Sequence, residues 1–271
     1  MNADVLQKVF EHAEAVDKWC AKNGGIRIMT ALFGSQNYGL ATIKSDVDTK
    51  SIIIPELSDW SWGDIDKYNT TINMPDGSHA EIKNVPEMFK QYIKGNINFL
   101  EMLYTEYVDI APGWEWVYQD LMGVRDNISR HNLYNAGQTW LGYMSQSLER
   151  AFTSTSESLG YREECGYNPK ALMNTFRIKE SIIRFFEFNR PFDEAIDMTD
   201  MRGVLLDIKE NPMPRDVAMI YGRDLRKWLD KEYEYIRNKY ENKCVFNSKF
   251  YLQQLCKLIH MTLVDEEEET Y

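Results

Sequence analysis

Residues 26–48 read IRIMTALFGSQNYGLATIKSDVD, and this stretch sets what the rest of the chain is built around. Ile26–Phe33 is an unbroken, largely apolar run, which predicts a buried strand. It ends at Gly34-Ser35, where a glycine leaves no side chain in the way and backbone N–H groups can approach an anion closely. Residues 46–55, DVDTKSIIIP, predict a second strand, acidic at its near end and apolar at its far end. Asp46 and Asp48 are two apart, so on a strand both point to one side. Two carboxylates on one side of a strand, beside an anion-accepting turn, are a donor set for a divalent cation that faces a phosphate. Mg2+ suits that set best, with Mn2+ as its substitute, because it takes oxygen from a few carboxylates and completes its shell with the phosphates of a substrate.

Working outward, Asp76-Gly77 lies between YNTTINM and HAEIKNV, the turn chemistry of a hairpin. Glu81 alternates with Ala80 and Ile82 on the second arm. It is the candidate third carboxylate, since an antiparallel neighbour would set it against the two aspartates. Asp76 in the turn and Glu87 in the following helix suit that position less well. His79 shares the face of Glu81 and reads as structural. Upstream, Val5, Leu6, Val9, Phe10, Ala13, Val16 and Trp19 recur at helical spacing, and Asn23-Gly24-Gly25 stops that helix. Pro86 fits the first turn of a helix that ends near Gly95-Asn96. From about residue 97 the periodicity is helical almost throughout. The expected fold is therefore α+β: a small mixed β-sheet core with flanking helices, followed by a mostly helical C-terminal region. The expected domains are a catalytic domain over 1–110, a helical domain over 111–264, and a disordered acidic tail over 265–271, with the break near Ala111-Pro112-Gly113.

The 271 residues are 44% hydrophobic and 27% charged, enough apolar mass for a sizeable core in one or two domains. No run of 18 uncharged apolar residues occurs, which excludes a transmembrane helix, and acids stand where a secretory signal needs a basic end. Cys20, Cys165, Cys244 and Cys256 lie far apart, as expected of neither a disulfide framework nor a zinc site. The expectation is a soluble cytoplasmic protein with no membrane partner. The net charge of −11 excludes a generic DNA-coating protein, although bases concentrate in 223–249. There Tyr221, Arg223, Arg226, Lys227, Trp228, Lys231, Tyr235, Arg237 and Lys239 interleave aromatics with cations. They make either a stacking and phosphate-tracking surface for single-stranded RNA or, more simply, an amphipathic helix with Ile220, Leu225, Trp228, Leu229 and Ile236 inward. His12, His131 and His260 have no metal-ligand spacing and read as structural or surface residues.

The run Gly34-Ser35-Gln36-Asn37-Tyr38-Gly39-Leu40-Ala41-Thr42-Ile43-Lys44-Ser45-Asp46-Val47-Asp48 resembles the signature of the DNA polymerase β-like nucleotidyltransferases, a GS turn followed by DxD and a later carboxylate. More narrowly it is similar to the nucleotidyltransferases of bacteria and phages that are named after an RNA-repair pathway, whose pattern is GSxxYGLAT-xx-SDxD. Lys94-Gly95-Asn96-Ile97-Asn98-Phe99-Leu100-Glu101 is similar to that family's KGNPNxLE, with Ile97 in place of the proline. Tyr167-Asn168-Pro169-Lys170 with Arg177 looks like its Y-x-x-K and H-x-x-R, with Asn174 in place of the histidine. The resemblance spans residues 26–210. It implies transfer of an NMP from an NTP to an acceptor hydroxyl by two metal ions, with an RNA or tRNA end as the first acceptor class. Asp46, Asp48 and Glu81 would be the catalytic and metal-binding residues, and Gly34, Ser35, Tyr38, Lys170 and Arg177 the nucleotide-binding ones. A protein acceptor, which the overall acidity suits, and a non-catalytic nucleotide-binding module are the alternatives.

Overall fold

Ile26–Phe33 forms β1, the strand on which the first of two compact units is assembled. The computed structural model describes residues 2–43, 45–153, 165–241, 243 and 247–269. Lys44, Cys244, Thr270 and Tyr271 lie outside the described residues. β2 (Asp48–Ile54) pairs with β1 antiparallel, and β5 (Val108–Ile110) pairs with its other edge. β3 (Thr70–Asn73) and β4 (His79–Asn84) form the expected hairpin, closed by Met74 N–H donating to Ser78 O at 2.8 Å, with Gly77 at φ +90°. β4 then joins β2 in parallel, giving the order β3-β4-β2-β1-β5 and a mixed sheet. The expected α+β architecture is the one found, but the antiparallel neighbour expected for the aspartate strand is a parallel one. The reason is that the hairpin turn fixes only β3 against β4. Which edge of β4 then meets β2 depends on the crossover between them, and no local pattern encodes that.

α1 (Ala3–Asn23) begins with Asn2 accepting from Asp4 N–H and ends at Gly24, φ +78°, as the glycine pair requires. A Cβ on Gly25 would meet the Ile54 carbonyl at 2.7 Å, so the chain can enter β1 here only without a side chain. Val5, Val9, Ala13, Val16 and Cys20 face the sheet, against Leu32, Ile53, Ala80 and Ile82. Each large side chain buried this way contributes about 1.5–3 kcal/mol. Phe10, which the spacing put on that stripe, is exposed, and His12 takes an inward place instead. Buried Arg27 holds α1 to the sheet edge through Asp17, at 2.7 and 2.9 Å, and Asp109, at 2.7 Å.

α2 (Leu57–Trp62), α3 (Val85–Ile93) and α4 (Ile97–Leu100) follow, with Asn84 capping α3 and Gly95 ending it at φ +66°. The break expected near Ala111-Pro112-Gly113 is a turn inside the first unit, because β5 pairs with β1 and α5 (Glu115–Ser129) packs on the same strand. The unit continues to His131 and takes back the last helix, α11 (Ser248–Glu269), whose Ser248 N–H donates to His131 Nδ1. The acidic run Asp265–Glu269 therefore continues a helix, where a disordered tail was expected. Glutamate's helix propensity outweighs its unfavourable place at the negative end. Among the described residues, no helix is long and apolar enough to cross a membrane, and Cys20, Cys165 and Cys256 form no disulfide.

The second unit is helical and holds Tyr38–Ala41 together with the chain from Asn132 through α10. It comprises α6 (Leu133–Phe152), α7 (Pro169–Ile182), a π-type turn (Ile183–Glu187), α8 (Phe192–Ile196), α9 (Arg202–Glu210) and α10 (Arg215–Tyr240). Its core is Trp140, fully buried against Phe185, Phe186 and Phe192 at ring distances of 4.9–5.7 Å. α6 and α10 approach closely at Gly137 and Gly222, where a Cβ would stand 2.6 Å from Ile236 and from Phe152.

Candidate active site

In the first unit, Phe33 is the register partner of Asp48, so the Gly34-Ser35 turn leaves β1 at the point where β2 enters with its aspartates. Gly34 takes φ +95°, open to solvent where a Cβ would project, and Asn37 N–H closes the turn on Gly34 O at 3.0 Å. The turn is held from beneath by Glu101, a fully buried carboxylate that accepts from Gly34 N–H at 3.1 Å and Asn37 Nδ2 at 3.4 Å. Asn37 also donates to Leu32 O, and Thr105 Oγ1 donates to Asn37 Oδ1 at 2.8 Å. Gly34 N–H is thus already committed to a carboxylate. Asn37 N–H is likewise taken by Gly34 O, so what this turn offers an anion is Ser35 and the Gln36 amide. Glu101, matched in the sequence only as the last residue of KGNINFLE, works by holding the glycine-serine turn.

Thr42 and Ser45 set the entry to β2, with Ser45 N–H donating to Thr42 O and Thr42 N–H to Ser45 Oγ, both at 2.9 Å. Asp46 is exposed, and Asp48 is half-buried at the first position of the strand. Because β4 runs parallel, the residue beside Asp48 is His79: its N–H donates to Asp48 Oδ1 at 3.0 Å and its Nδ1 lies 2.8 Å from the same oxygen. His79, read as structural, is a direct partner of a site aspartate. Its spacing two before Glu81 carried the signal.

Glu81 is brought to the same face of the sheet, two register pairs further along, opposite Lys50. Its Oε2 is bound to the Lys50 ammonium and its Oε1 lies 3.3 Å from Lys83. Lys50 is 4% exposed, with its ammonium 3.9 Å from the centre of the Phe33 ring and 4.5 Å from that of Phe99. Burial works to raise the Glu81 pKa, but Lys50 and Lys83 prevail and hold it below the ordinary carboxylate range. Among the described residues, no group of three or more His, Cys, Asp or Glu side chains is assembled that could hold a metal. β2 begins at Asp48, so Asp46 stands two residues before the strand and exposed, and not on it as the spacing implied. Asp46 and Asp48 are the carboxylates left for a cation; Glu81, with both oxygens held by lysines, is already engaged.

The other residues singled out for the nucleotide lie in the second unit. Tyr38 and Leu40 are buried there, Met198 N–H donates to Tyr38 O at 3.0 Å, and Arg202 donates to Gly39 O and Ala41 O. Gly39, at φ +70°, leaves room for Thr199 Oγ1, which a Cβ would meet at 2.5 Å. Arg177 is 2% exposed, its guanidinium 3.9 Å from the centre of the Tyr38 ring and its Nε donating to Asn174 Oδ1 at 2.8 Å. Its Nη1 has no hydrogen-bond partner among the described residues. Tyr38 is therefore the stacking partner of Arg177. Lys170, seven residues before Arg177 on α7, is exposed.

α10 buries Ala218, Gly222, Leu225, Leu229, Glu232 and Ile236, the amphipathic arrangement expected, with Ile220 exposed rather than inward. Its outer cations are interleaved with acids and partly paired, as in Lys227–Asp224 and Arg226–Glu149. No unbroken basic track for a nucleic-acid backbone is formed among them. Glu232 escaped the sequence reading although it falls on the apolar stripe, and burial pushes its carboxyl up to about 7.

No family model matches the chain. Among curated proteins it is similar to an uncharacterized 38.9 kDa protein from the nrdC-mobD intergenic region of Enterobacteria phage T4, 29% identical over 135 residues. The match covers 45% of this chain and 38% of the phage protein, so the chain spans well under two thirds of that relative's length.

Proposed function

We propose that the chain is a metal-dependent nucleotidyltransferase that moves an NMP from an NTP to an acceptor hydroxyl, with an RNA or tRNA end as the acceptor. The observation that carries this reading is the pairing of Phe33 with Asp48, which puts a glycine-serine turn and a DxD pair at the same end of two adjacent strands. Asp46 and Asp48 would hold Mg2+ or Mn2+. The bound ion supplies neutralisation of the charge that builds on the transferring phosphoryl group and on the leaving pyrophosphate. Ser35 and the Gln36 amide bind the phosphates, in a turn kept open by Gly34 and held by Glu101. His79 fixes Asp48 by taking Oδ1, which orients Oδ2 for the cation, as a partner of a ligating carboxylate does. In the transfer, the acceptor oxygen forms a bond to the α-phosphorus, the bond to the bridging oxygen breaks, pyrophosphate leaves, and the hydroxyl proton passes to solvent.

Transfer to a protein side chain keeps the same chemistry, and the net charge of −11 favours it. Incubation with each α-labelled NTP, Mg2+ or Mn2+, and separate pools of cell RNA and protein distinguishes the acceptors. Label in RNA supports the reading, label in protein alone moves the acceptor to a side chain, and label in neither pool leaves a nucleotide-binding module.

A further inference from the structure

On the reading of this face as a nucleotidyl-transfer centre, we infer that Lys50 and Lys83 keep Glu81 off the metal, so that the chain itself binds one divalent cation on Asp46 and Asp48. Glu81 is then the counter-ion of a buried lysine, and Lys50 is a positioning residue that sets how many ions the site takes.

Lys50 cannot give Glu81 up cheaply. Its ammonium sits among the rings of Phe33 and Phe99, away from solvent, and the ion pair it makes among the described residues is with Glu81. Removing the carboxylate would strand a buried charge, which is far more costly than leaving the pair intact. Glu81 is no freer, since one oxygen is held by each lysine. Asp48 differs in kind, because its partner is an imidazole at the rim of the site, with 41% of its side chain exposed, rather than a buried ammonium.

The test is Mn2+ binding to the full chain without nucleotide, followed by the electron spin resonance of the free ion. Wild type is expected to bind one Mn2+ and Asp48→Asn to lose it. Lys50→Met, which keeps the length of the side chain among the rings, is expected to release Glu81 and to tighten Mn2+ binding roughly tenfold or add a second ion. The double variant Lys50→Met/Glu81→Gln, which removes both charges together, guards against a stranded partner and is expected to bind as wild type does. A weaker or lost ion in Lys50→Met/Glu81→Gln, or no gain in Lys50→Met, overturns the inference and leaves the transferase reading standing. No Mn2+ binding by wild type, with or without an NTP, overturns both.

Discussion

Thr49 and Lys50 are neighbours in β2 and point to opposite faces of one sheet, where they meet opposite surroundings. On the α1 side, Thr49 Oγ1 lies 2.8 Å from Nδ1 of His12, whose Nε2 lies 3.0 Å from Ser78 Oγ, and Thr30 Oγ1 lies 2.8 Å from Ser51 Oγ. Every one of these residues is buried and uncharged in its ordinary packed form; burial holds His12 below the usual histidine range. On the other side the same strands present Asp48, Lys50, His79, Glu81 and Lys83, all but Lys50 partly exposed. The first face spends its polar groups on one another and stabilises the fold. The second keeps charges in unequal balance, which is a poor way to stabilise a sheet and a good way to hold a cation and a phosphate. A sheet two residues out of register would keep the alternation, yet it would part Asp48 from the glycine-serine turn.

Substitutions on the two faces should therefore separate activity from stability. The largest effect is expected from Asp48→Asn: nucleotidyl transfer falls by about 10³-fold with the loss of the cation, while the thermal midpoint moves by roughly 2 °C or less. Steady-state transfer and a melting curve on the same sample check it, and a variant that unfolds as it loses activity would break the contrast. His12→Ala reverses the pattern. It removes two buried hydrogen-bond partners and leaves a void, for a loss of about 2–4 kcal/mol in denaturant unfolding, with Mn2+ affinity unchanged. Gly34→Ala sharpens the comparison at the turn. No atom stands in the way of the new methyl, so the cost is the positive φ alone, about 1–2 kcal/mol, and NTP binding weakens while Mn2+ binding does not.

The smallest effect is a pH dependence. The folded chain holds His12 neutral below the pH at which the unfolded chain protonates it, near 6.5. The unfolded state then binds more protons, so stability falls as pH drops. The expected loss is up to about 1 kcal/mol between pH 6.5 and 5.5, and it is absent in His12→Ala. A profile that is identical in the variant would show that other groups set it.

Much of this was legible in the sequence, and what was missed follows a physical pattern. Ile26–Phe33, the Asp76-Gly77 hairpin, the Gly24 stop of α1 and the long helix Leu133–Phe152 each rest on local signals, namely turn residues and periodicity. The parallel pairing of β4 with β2, the three-residue strand Val108–Ile110 and the return of α11 to the first unit are long-range choices that leave no local trace. The site divides the same way. Asp48 and the glycine-serine turn lie at one strand end because a single β-pairing, Phe33 with Asp48, joins them, whereas Asp46, expected on the same strand, precedes it. Glu81 was placed on the correct face but its partner was not foreseen, since opposing it to Lys50 needs the parallel register. Tyr38 and Arg177 were grouped as nucleotide contacts, and they do meet, though as a buried cation–π pair. The difference is burial, which neither spacing nor resemblance reports.

The most direct measurement is pyrophosphate release from NTPs in the presence of Mg2+ and cell RNA, comparing the wild-type chain with Asp46→Asn/Asp48→Asn. The account predicts metal-dependent release by the wild type and background release by the double variant, with matching melting curves. Release by the double variant at the wild-type rate would contradict it.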